Sequence, residues 1–307
     1  MEFSIPPLAG PQRTPRLILM TMGVAEHGGS PTGQRCESEA FCNLAGPVKD
    51  MRGLAEAVNL QAGAGSSGLA WDFQHVALED EEVTVENLRR SLERLDPRPE
   101  DVIWIAMSGH GEYLSGDGDD SGEFYLITPG AKRSFASYMK SGEGRAFVSA
   151  GEISEVLGDF DARRIILTAD TCYSGNSGPV FERNATARLQ EIGAPLGMEM
   201  VFAAKPGRLT YDSEEEPSRL IANLIQSLDQ AHDQGESLTV RTWFRQATST
   251  IAEKENRLEQ KMIDAKWGPL RSEQSPWQSA PADTEFERRL SLGSEIQLLV
   301  PNSQARR

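Results

Sequence analysis

Apolar and polar residues alternate along this chain in blocks that predict strands and helices in turn. Five blocks predict strands, and the uninterrupted apolar runs within them are typical of strands that are buried on both faces. These blocks are residues 16–23, 73–80, 101–110, 163–170 and 198–204. A shorter block predicts either a further strand or one arm of a hairpin, at residues 124–129.

Between these strands, apolar residues recur at the spacing of amphipathic helices. The segment 47–60 opens with Pro47, which suits the first turn of a helix. Hydroxyl residues that favour the N-cap position precede four further helical patterns. They are Thr84, Ser149, Ser218 and Thr239. Apolar strands separated by amphipathic helices predict an α/β protein with a mostly parallel central sheet and helices on both faces.

The length of 307 residues leaves one large α/β domain or two smaller ones equally open. The unbroken order of strands and helices leads us to expect one domain over residues 16–280. A short lead (1–15) precedes it and a C-terminal extension (281–307) follows. The extension contains an apolar-periodic stretch that could dock on the body of the protein or on a partner.

The formal net charge of −15 argues against nucleic acid or an anionic membrane as the main partner, because phosphate groups would be repelled. Such a surface favours basic segments of other proteins. No apolar run approaches the length that spans a bilayer, and the first 16 residues contain no apolar core of a signal peptide. We therefore expect a cytoplasmic protein.

Three cysteines without CxxC spacing predict neither a disulfide framework nor a structural zinc site. Cys36 and Cys42 lie in a predicted loop and are expected to be incidental thiols. Three of the four histidines are expected to be structural or solvated: His27, His75 and His232. The remaining cysteine and histidine lie at the ends of predicted strands, where chemistry is more plausible.

His110 lies in "SGHG" (108–111), and Cys172 lies in "DTCYSG" (170–175). The carboxyl ends of parallel strands meet at one edge of a sheet, so we expect the two side chains to face each other. A lone cysteine at a strand end is usually a packing residue. A thiolate beside an imidazole, however, is the pair that attacks a carbonyl carbon. The pairing makes Cys172 a candidate nucleophile.

These two motifs resemble the His-Gly and Asp-x-Cys-x-Ser-Gly motifs of the caspase-like cysteine peptidases, particularly the metacaspases. "LAGPVKDM" (44–51) resembles the segment that opens the first helix of metacaspases, with Pro47 and Lys49 in place of a cysteine and an asparagine. Two later segments add supporting similarity, at residues 201–215 and 274–277. The resemblance covers roughly residues 16–280, and it implies the caspase-hemoglobinase fold and a cysteine endopeptidase.

The resemblance also implies a role for each matching residue. His110 would be the base and acid, and the backbone N–H groups of Gly111 and Cys172 would form the oxyanion hole. Asp50 and Asp170 would bind a basic P1 side chain, so cleavage is expected after Arg or Lys and not after Asp. A strand that continues to residue 172 turns Asp170 to the same face as Cys172. Asp50 could instead only stabilise the start of its own helix.

Peptidases of this kind are often zymogens that are activated when a loop is cut, by the enzyme itself or by an upstream peptidase. Two locally basic segments offer sites for such processing, which would be Arg133, Lys140, Arg145, Arg183 and Arg188. The alternative is that both are ordinary surface loops. A regulatory protein is a further expected partner beside the protein substrates with basic P1 residues.

We expect no cofactor, although calcium stays open because many metacaspases depend on it. The weak calcium candidates are Asp117, Asp119 and Asp120. Their spacing is not that of an EF-hand loop, and a solvated acidic turn is the simpler interpretation. Two other functions also stay open: a catalytically silent caspase-like binding or scaffold protein, and an acyl transferase or hydrolase that uses the same dyad.

Overall fold

The computed structural model of the protein describes residues 14–28, 41–61, 67–114, 122–131, 146–160, 162–172, 174–177, 180–181, 197–203, 217–248 and 296–301. The strands, in chain order, are β1 (Arg16–Gly23), β2 (Ser67–Leu69), β3 (Asp72–Glu79), β4 (Val102–Gly109), β5 (Gly111–Leu114), β6 (Glu123–Ile127), β7 (Phe147–Ser149), β8 (Arg164–Thr171), β9 (Gly197–Phe202), β10 (Leu238–Thr239) and β11 (Gln297–Pro301). The helices are α1 (Pro47–Leu60), α2 (Val85–Leu95), α3 (Ala150–Gly158), α4 (Arg219–Asp233) and α5, which is described from residue 240 to 248.

The central sheet has five strands in the order β3, β1, β4, β8, β9, and every neighbouring pair is parallel. Strand β4 is buried at every position, as its apolar sequence predicts, and so is β9, whose charged residue Glu199 pairs with Arg241. The predicted α/β class with a mostly parallel sheet is therefore confirmed.

Helices cover the sheet on both faces. On one face, α2 and α3 pack against alternate residues of the strands, such as Ile103 and Leu167. On the other face, α1, α4 and α5 cover the intervening residues, such as Trp104 and Ile166. This alternation follows from the two-residue period of a strand, and it decides which helices each strand-end side chain meets.

The predicted helix starts are present in the structure. Thr84 and Ser218 each accept a backbone N–H from the third residue of their helix. Ser149 and Glu152 form the predicted capping box at the start of α3. Pro47 occupies the first turn of α1.

Two small antiparallel sheets flank the central one. The block at 124–129 is a hairpin arm, because β6 pairs antiparallel with β5 and β7. Strand β11 pairs with β2 and with β10, so this part of the C-terminal extension docks on the body of the protein. The sequence had left that choice open.

An ionic cluster closes the amino end of the central sheet. The Asp101 carboxylate is fully buried and accepts hydrogen bonds from the Arg16 side chain, at 2.5 Å, and from the backbone N–H of Arg98, at 3.0 Å. Burial by itself raises the pKa of Asp101, but the hydrogen bonds from Arg16 and Arg98 bring it below the ordinary value. The cluster ties β1 to the start of β4, at the end of the sheet opposite His110.

Candidate active site

The predicted nucleophile and base directly follow two neighbouring strands at the carboxyl edge of the sheet. Strands β4 and β8 pair in register up to Gly109 and Thr171, so the next residues along each chain are His110 and Cys172. Cys172 is partly exposed and keeps its thiol. We call the group formed by Cys42, His110, Gly111, Asp170 and Cys172 the rim.

Gly111 lies directly against the nucleophile. A Cβ atom added to Gly111 would be 2.2 Å from the carbonyl oxygen of Cys172 and 2.8 Å from Oγ1 of Thr171. The His110 carbonyl accepts the N–H of Ile127 at 2.9 Å, which fixes the turn between β4 and β5. Only a residue without a side chain fits at position 111, and this is the physical reason for a His-Gly pair here.

A backbone carbonyl orients the His110 ring. Nε2 of His110 is 2.9 Å from the carbonyl oxygen of Cys42. Because a carbonyl can only accept a hydrogen bond, Nε2 carries a proton and Nδ1 is the basic nitrogen of the neutral ring. The ring of Phe41 packs beside the imidazole, with the two centroids 5.2 Å apart. No side-chain motif encodes this carbonyl contact, so the sequence could not reveal it.

The expectation of an incidental thiol is wrong for Cys42, because Cys42 is half of a disulfide. Cys36 lies outside the described residues. The odd count and the missing CxxC spacing argue against a disulfide framework, but they carry no information about a single bridge in a loop. The disulfide therefore lies on the same residue whose carbonyl holds the His110 ring.

Asp170 and Asp50 lie on the α1 side of the sheet. Ile166 packs against α1 and α4, and Asp170 follows it on the same face of β8 because two strand periods separate them. Asp170 is 5 % exposed. Asp50, 4 % exposed, lies in the first turn of α1.

The start of α1 is pressed onto the end of β1. A Cβ atom added to Gly23 would be 3.0 Å from Cα of Val48 and 3.1 Å from the carbonyl oxygen of Pro47. Gly23 pairs with Ser108 of β4, the residue that pairs with Asp170. The close approach therefore brings the first turn of α1 to the row of strand ends that carries Asp170.

Asp50 also has a structural contact that the sequence did not suggest. Its Oδ2 accepts the backbone N–H of Ser218 at 3.0 Å. Ser218 is the N-cap of α4, where the positive end of the helix dipole favours a carboxylate. The sequence suggested that Asp50 could stabilise the start of its own helix, α1. In the structure, one of its carboxylate oxygens instead binds the start of α4 and so ties α1 to α4.

Several predicted residues lie outside the described part of the chain. They are the processing candidates Arg133, Lys140, Arg145, Arg183 and Arg188 and the calcium candidates Asp117, Asp119 and Asp120. Within the described stretches, no group of three His, Cys, Asp or Glu side chains is arranged to hold a metal ion.

His27 lies beside His110, and its burial agrees with the structural part of the expectation for this residue. Its ring is 2 % exposed and lies 4.7 Å from the His110 ring, centroid to centroid, in an edge-on arrangement. His75 and His232 lie elsewhere, in β3 and α4. In the sequence, His27 is a polar residue between Glu26 and a glycine. This context does not distinguish a buried ring from a solvated one, because the burial arises only from tertiary packing.

Curated proteins and solved structures give little or no close similarity to this chain. No curated protein matches the chain. Among solved structures, the crystal structure of protein GSU0716 from Geobacter sulfurreducens is 12 % identical, with a TM-score of 0.49, and the match covers 77 % of this chain and 89 % of that one. In the described part of the chain, no helix is both long and apolar enough to cross a membrane.

A family comparison is decisive. The family model described as Peptidase_C14, caspase domain, matches residues 38–286, which is most of the chain. The matched range contains both the His-Gly turn and the strand end that carries Cys172. The domain is that of a cysteine-type peptidase. The chain belongs to the caspase-domain family.

Proposed function

We propose that the protein is a metacaspase-like cysteine endopeptidase that cleaves protein substrates after Arg or Lys through a His110/Cys172 dyad. One observation carries this proposal, namely the register of β4 and β8 that sets His110 beside Cys172. The fit of Gly111 against the Cys172 carbonyl supports it, because the same turn brings the Gly111 backbone to the reacting thiol.

In the first half of the reaction, Nδ1 of His110 takes the proton of the Cys172 thiol, and the sulfur attacks the carbonyl carbon of the scissile peptide. The negative charge that develops on the carbonyl oxygen is stabilised by the N–H groups of Gly111 and Cys172. The imidazolium form of His110 then returns the proton to the leaving amine. The peptide C–N bond breaks and a thioester on Cys172 remains.

In the second half, a water molecule replaces the released amine. His110 takes a proton from this water, and the hydroxide attacks the thioester carbon. The C–S bond breaks, the Cys172 sulfur leaves as a thiolate, and the proton on His110 restores the starting pair. Throughout the reaction the Cys42 carbonyl accepts a hydrogen bond from the Nε2–H of His110, which keeps the ring in one orientation.

The preference for a basic P1 side chain rests on charge. Asp170 and Asp50 are buried carboxylates on the α1 side of the rim. A guanidinium or ammonium group beside them is attracted, whereas an aspartate side chain is repelled. Asp50 would contribute the negative charge of its carboxylate, one oxygen of which accepts the Ser218 N–H.

A panel of fluorogenic tripeptides that differ only at P1 tests the specificity. We expect kcat/KM to be highest for Arg and Lys, and Asp170→Asn to lower it on these two by about 100-fold, because an ionic hydrogen bond is lost. Asp72→Asn is the matched control, since Asp72 is an exposed carboxyl at the opposite end of the sheet. Faster cleavage of the Asp substrate by the wild type would refute the assignment.

We also propose that the enzyme is made as a zymogen and is cut in one of the two basic loops. Intact-mass measurement of the wild type against Cys172→Ala tests self-processing, which predicts fragments in the wild type alone. Identical fragments in both proteins would point to an upstream peptidase. No fragment in either, with full activity of the intact chain, would refute zymogen control.

The remaining proposals concern cofactor and location. We propose that the enzyme needs no resident cofactor, so activity in a calcium chelator is expected to equal activity in added calcium. A cytoplasmic location is proposed from the sequence, but the Cys42 disulfide counts against it because cytosolic thiols are kept reduced. Trapping of free thiols in intact cells, followed by mass analysis of Cys42, tests this point.

A further inference from the structure

We infer that His27 is a positioning residue for His110: its buried ring packs edge-on against the His110 imidazole and holds it in the plane that serves the Cys172 thiol. The inference rests on the proposed dyad. It assigns a function to a residue that neither the sequence motifs nor the proposed reaction uses.

The His110 ring is enclosed by three groups. The Cys42 carbonyl meets Nε2, the Phe41 ring lies at 5.2 Å with a tilt of 45°, and the His27 ring lies at 4.7 Å with a tilt of 61°. The rings of His27 and Phe41 are themselves 6.2 Å apart. One hydrogen bond leaves a ring free to rotate about it, whereas two further rings at an angle to each other remove that freedom.

The backbone of His27 is fixed to the same segment that holds Nε2 of His110. Its N–H donates to Oδ1 of Asn43 at 2.7 Å, next to Cys42. The preceding residues are held as well, because the N–H groups of Ala25 and Glu26 both donate to Oδ1 of Asp80. Movement of the 24–28 loop would therefore disturb the His27 ring and the Cys42 carbonyl together.

Charge gives a second reason for a ring of this kind. Burial, followed by the charge of His110, lowers the pKa of His27 to about 3, and the Val24 carbonyl offsets this only in part. His27 is thus neutral while His110 becomes an imidazolium. A neutral ring at this position adds no charge repulsion to such a cation, whereas a charged ring would repel it.

The other charged groups near this contact lie on the loop and on the residue that anchors it. They are Glu26, which is exposed, and Asp80, whose Oδ1 accepts two backbone N–H groups. The causes of the lowered pKa of His27 are burial and the charge of His110, opposed by the Val24 carbonyl. In the described residues, His110 is thus the charged group to which His27 is coupled.

The simplest competing explanation is that His27 only fills space in the core. Neither of its ring nitrogens has a hydrogen bond of normal geometry within the described residues, so a phenyl ring would fit the same environment. Filling space predicts an effect on the amount of folded protein alone. Positioning predicts an effect on the chemistry of the folded protein, and the two can be separated.

The test compares His27→Ala with the conservative variant His27→Phe. Two readouts are needed: kcat and KM per titrated active site on an Arg-P1 tripeptide, and the pH dependence of Cys172 alkylation by iodoacetamide. We expect His27→Ala to lower kcat by about 10-fold or more with little change in KM, because a misoriented base costs rate and not binding. In His27→Ala we also expect the midpoint of Cys172 alkylation to move to higher pH. His27→Phe is expected to restore both kcat and this midpoint.

The outcomes distinguish this inference from the proposed function. If His110→Ala leaves the alkylation profile unchanged, the dyad itself is refuted. If His110→Ala moves the profile but His27→Ala does not, only the positioning function of His27 is overturned. Equal losses in His27→Ala and His27→Phe would also overturn it, since the ring and not the nitrogens is held to act.

Discussion

The rim and a groove beside β3 each contain a histidine, but they differ in chemistry. The groove is a cavity of about 380 Å³ between α1 and β3, and it is lined by Arg52, Ala55, Glu56, Asn59, Phe73 and His75. Burial lowers the pKa of His75, as it does for His27. The groove, however, has no cysteine among its lining residues, and Nε2 of His75 contacts Oγ1 of Thr21 at 2.8 Å.

The difference shows that a cavity and an imidazole do not make an active site. The groove lies on the flank of an edge strand, where side chains of one strand and one helix meet. Its Arg52 is paired with Glu79 and is not directed at a ligand. The rim instead gathers the ends of β4 and β8, so residues from separate loops converge on one thiol. Convergence at strand ends, and not volume, distinguishes the two.

The contrast between the rim and the groove is tested most strongly by removing one side chain from each region. We expect Cys172→Ala to lower kcat by about 10⁴-fold or more, because Cys172 is the only cysteine of the described residues outside a disulfide. His75→Ala, the matched change in the groove, is expected to leave kcat and KM unchanged. Turnover of an Arg-P1 tripeptide checks both, and comparable losses in the two variants would remove the distinction.

The next largest effect is expected at Gly111. Gly111→Ala puts a methyl group on the Cys172 carbonyl, so the oxyanion donors must separate, and we expect kcat to fall by about 100- to 1000-fold. Gly53→Ala is the control, because an added Cβ there meets only Cδ1 of Ile225 at an ordinary 3.7 Å. A fully active Gly111→Ala protein would show that this turn does not form the oxyanion hole.

A smaller and mixed effect is expected at Asp50. Asp50→Asn removes a charge near the substrate and weakens the contact with the Ser218 N–H. We expect about a 10-fold loss of kcat/KM on the Arg substrate, together with a loss of about 1–2 kcal/mol in the free energy of unfolding. Denaturant unfolding and kinetics on one preparation separate the two. A loss of stability without any change in specificity would assign Asp50 to structure alone.

The smallest effect on catalysis is expected at the far end of the sheet. Asp101→Asn breaks the buried contacts with Arg16 and Arg98 and is expected to cost about 3 kcal/mol of stability, with kcat per active site unchanged. The pKa of Asp101 is lowered by folding, so its stabilisation is present above the ordinary value of 3.8 and is lost as pH falls through the lower folded value.

Unfolding of the wild type and of Asp101→Asn across pH checks that sign. The difference between the two proteins is expected to be constant near neutral pH and to shrink on acidification below about pH 4. A difference that grows on acidification would contradict the account of the Arg16–Asp101 contact.

The sheet, and the position of His110 and Cys172 at its edge, could be predicted from the sequence because both depend on local patterns. Apolar blocks at 101–110 and 163–170 predict neighbouring buried strands, and polar residues at their ends predict the rim. The contacts that orient His110 could not be predicted in this way. Cys42 acts through a backbone carbonyl, and His27 acts through burial, so neither leaves a signature in the order of side chains.

Long-range contacts account for the other differences. Asp50 lies in the first turn of α1, yet its carboxylate holds the N–H of Ser218, which is 168 residues away along the chain. The docking of β11 beside β2 likewise depends on pairing across most of the chain. A periodic pattern reports which face of an element is buried, but not which distant backbone group it will meet.

Labelling with an arginyl chloromethyl ketone tests the central claim most directly. The account predicts one equivalent of covalent adduct in the wild type, located at Cys172 by peptide mass analysis, and a much slower reaction in His110→Ala. An aspartyl ketone of the same length is expected to react poorly. Absence of the adduct at Cys172, or equal labelling of wild type and His110→Ala, would contradict a peptidase built on this dyad.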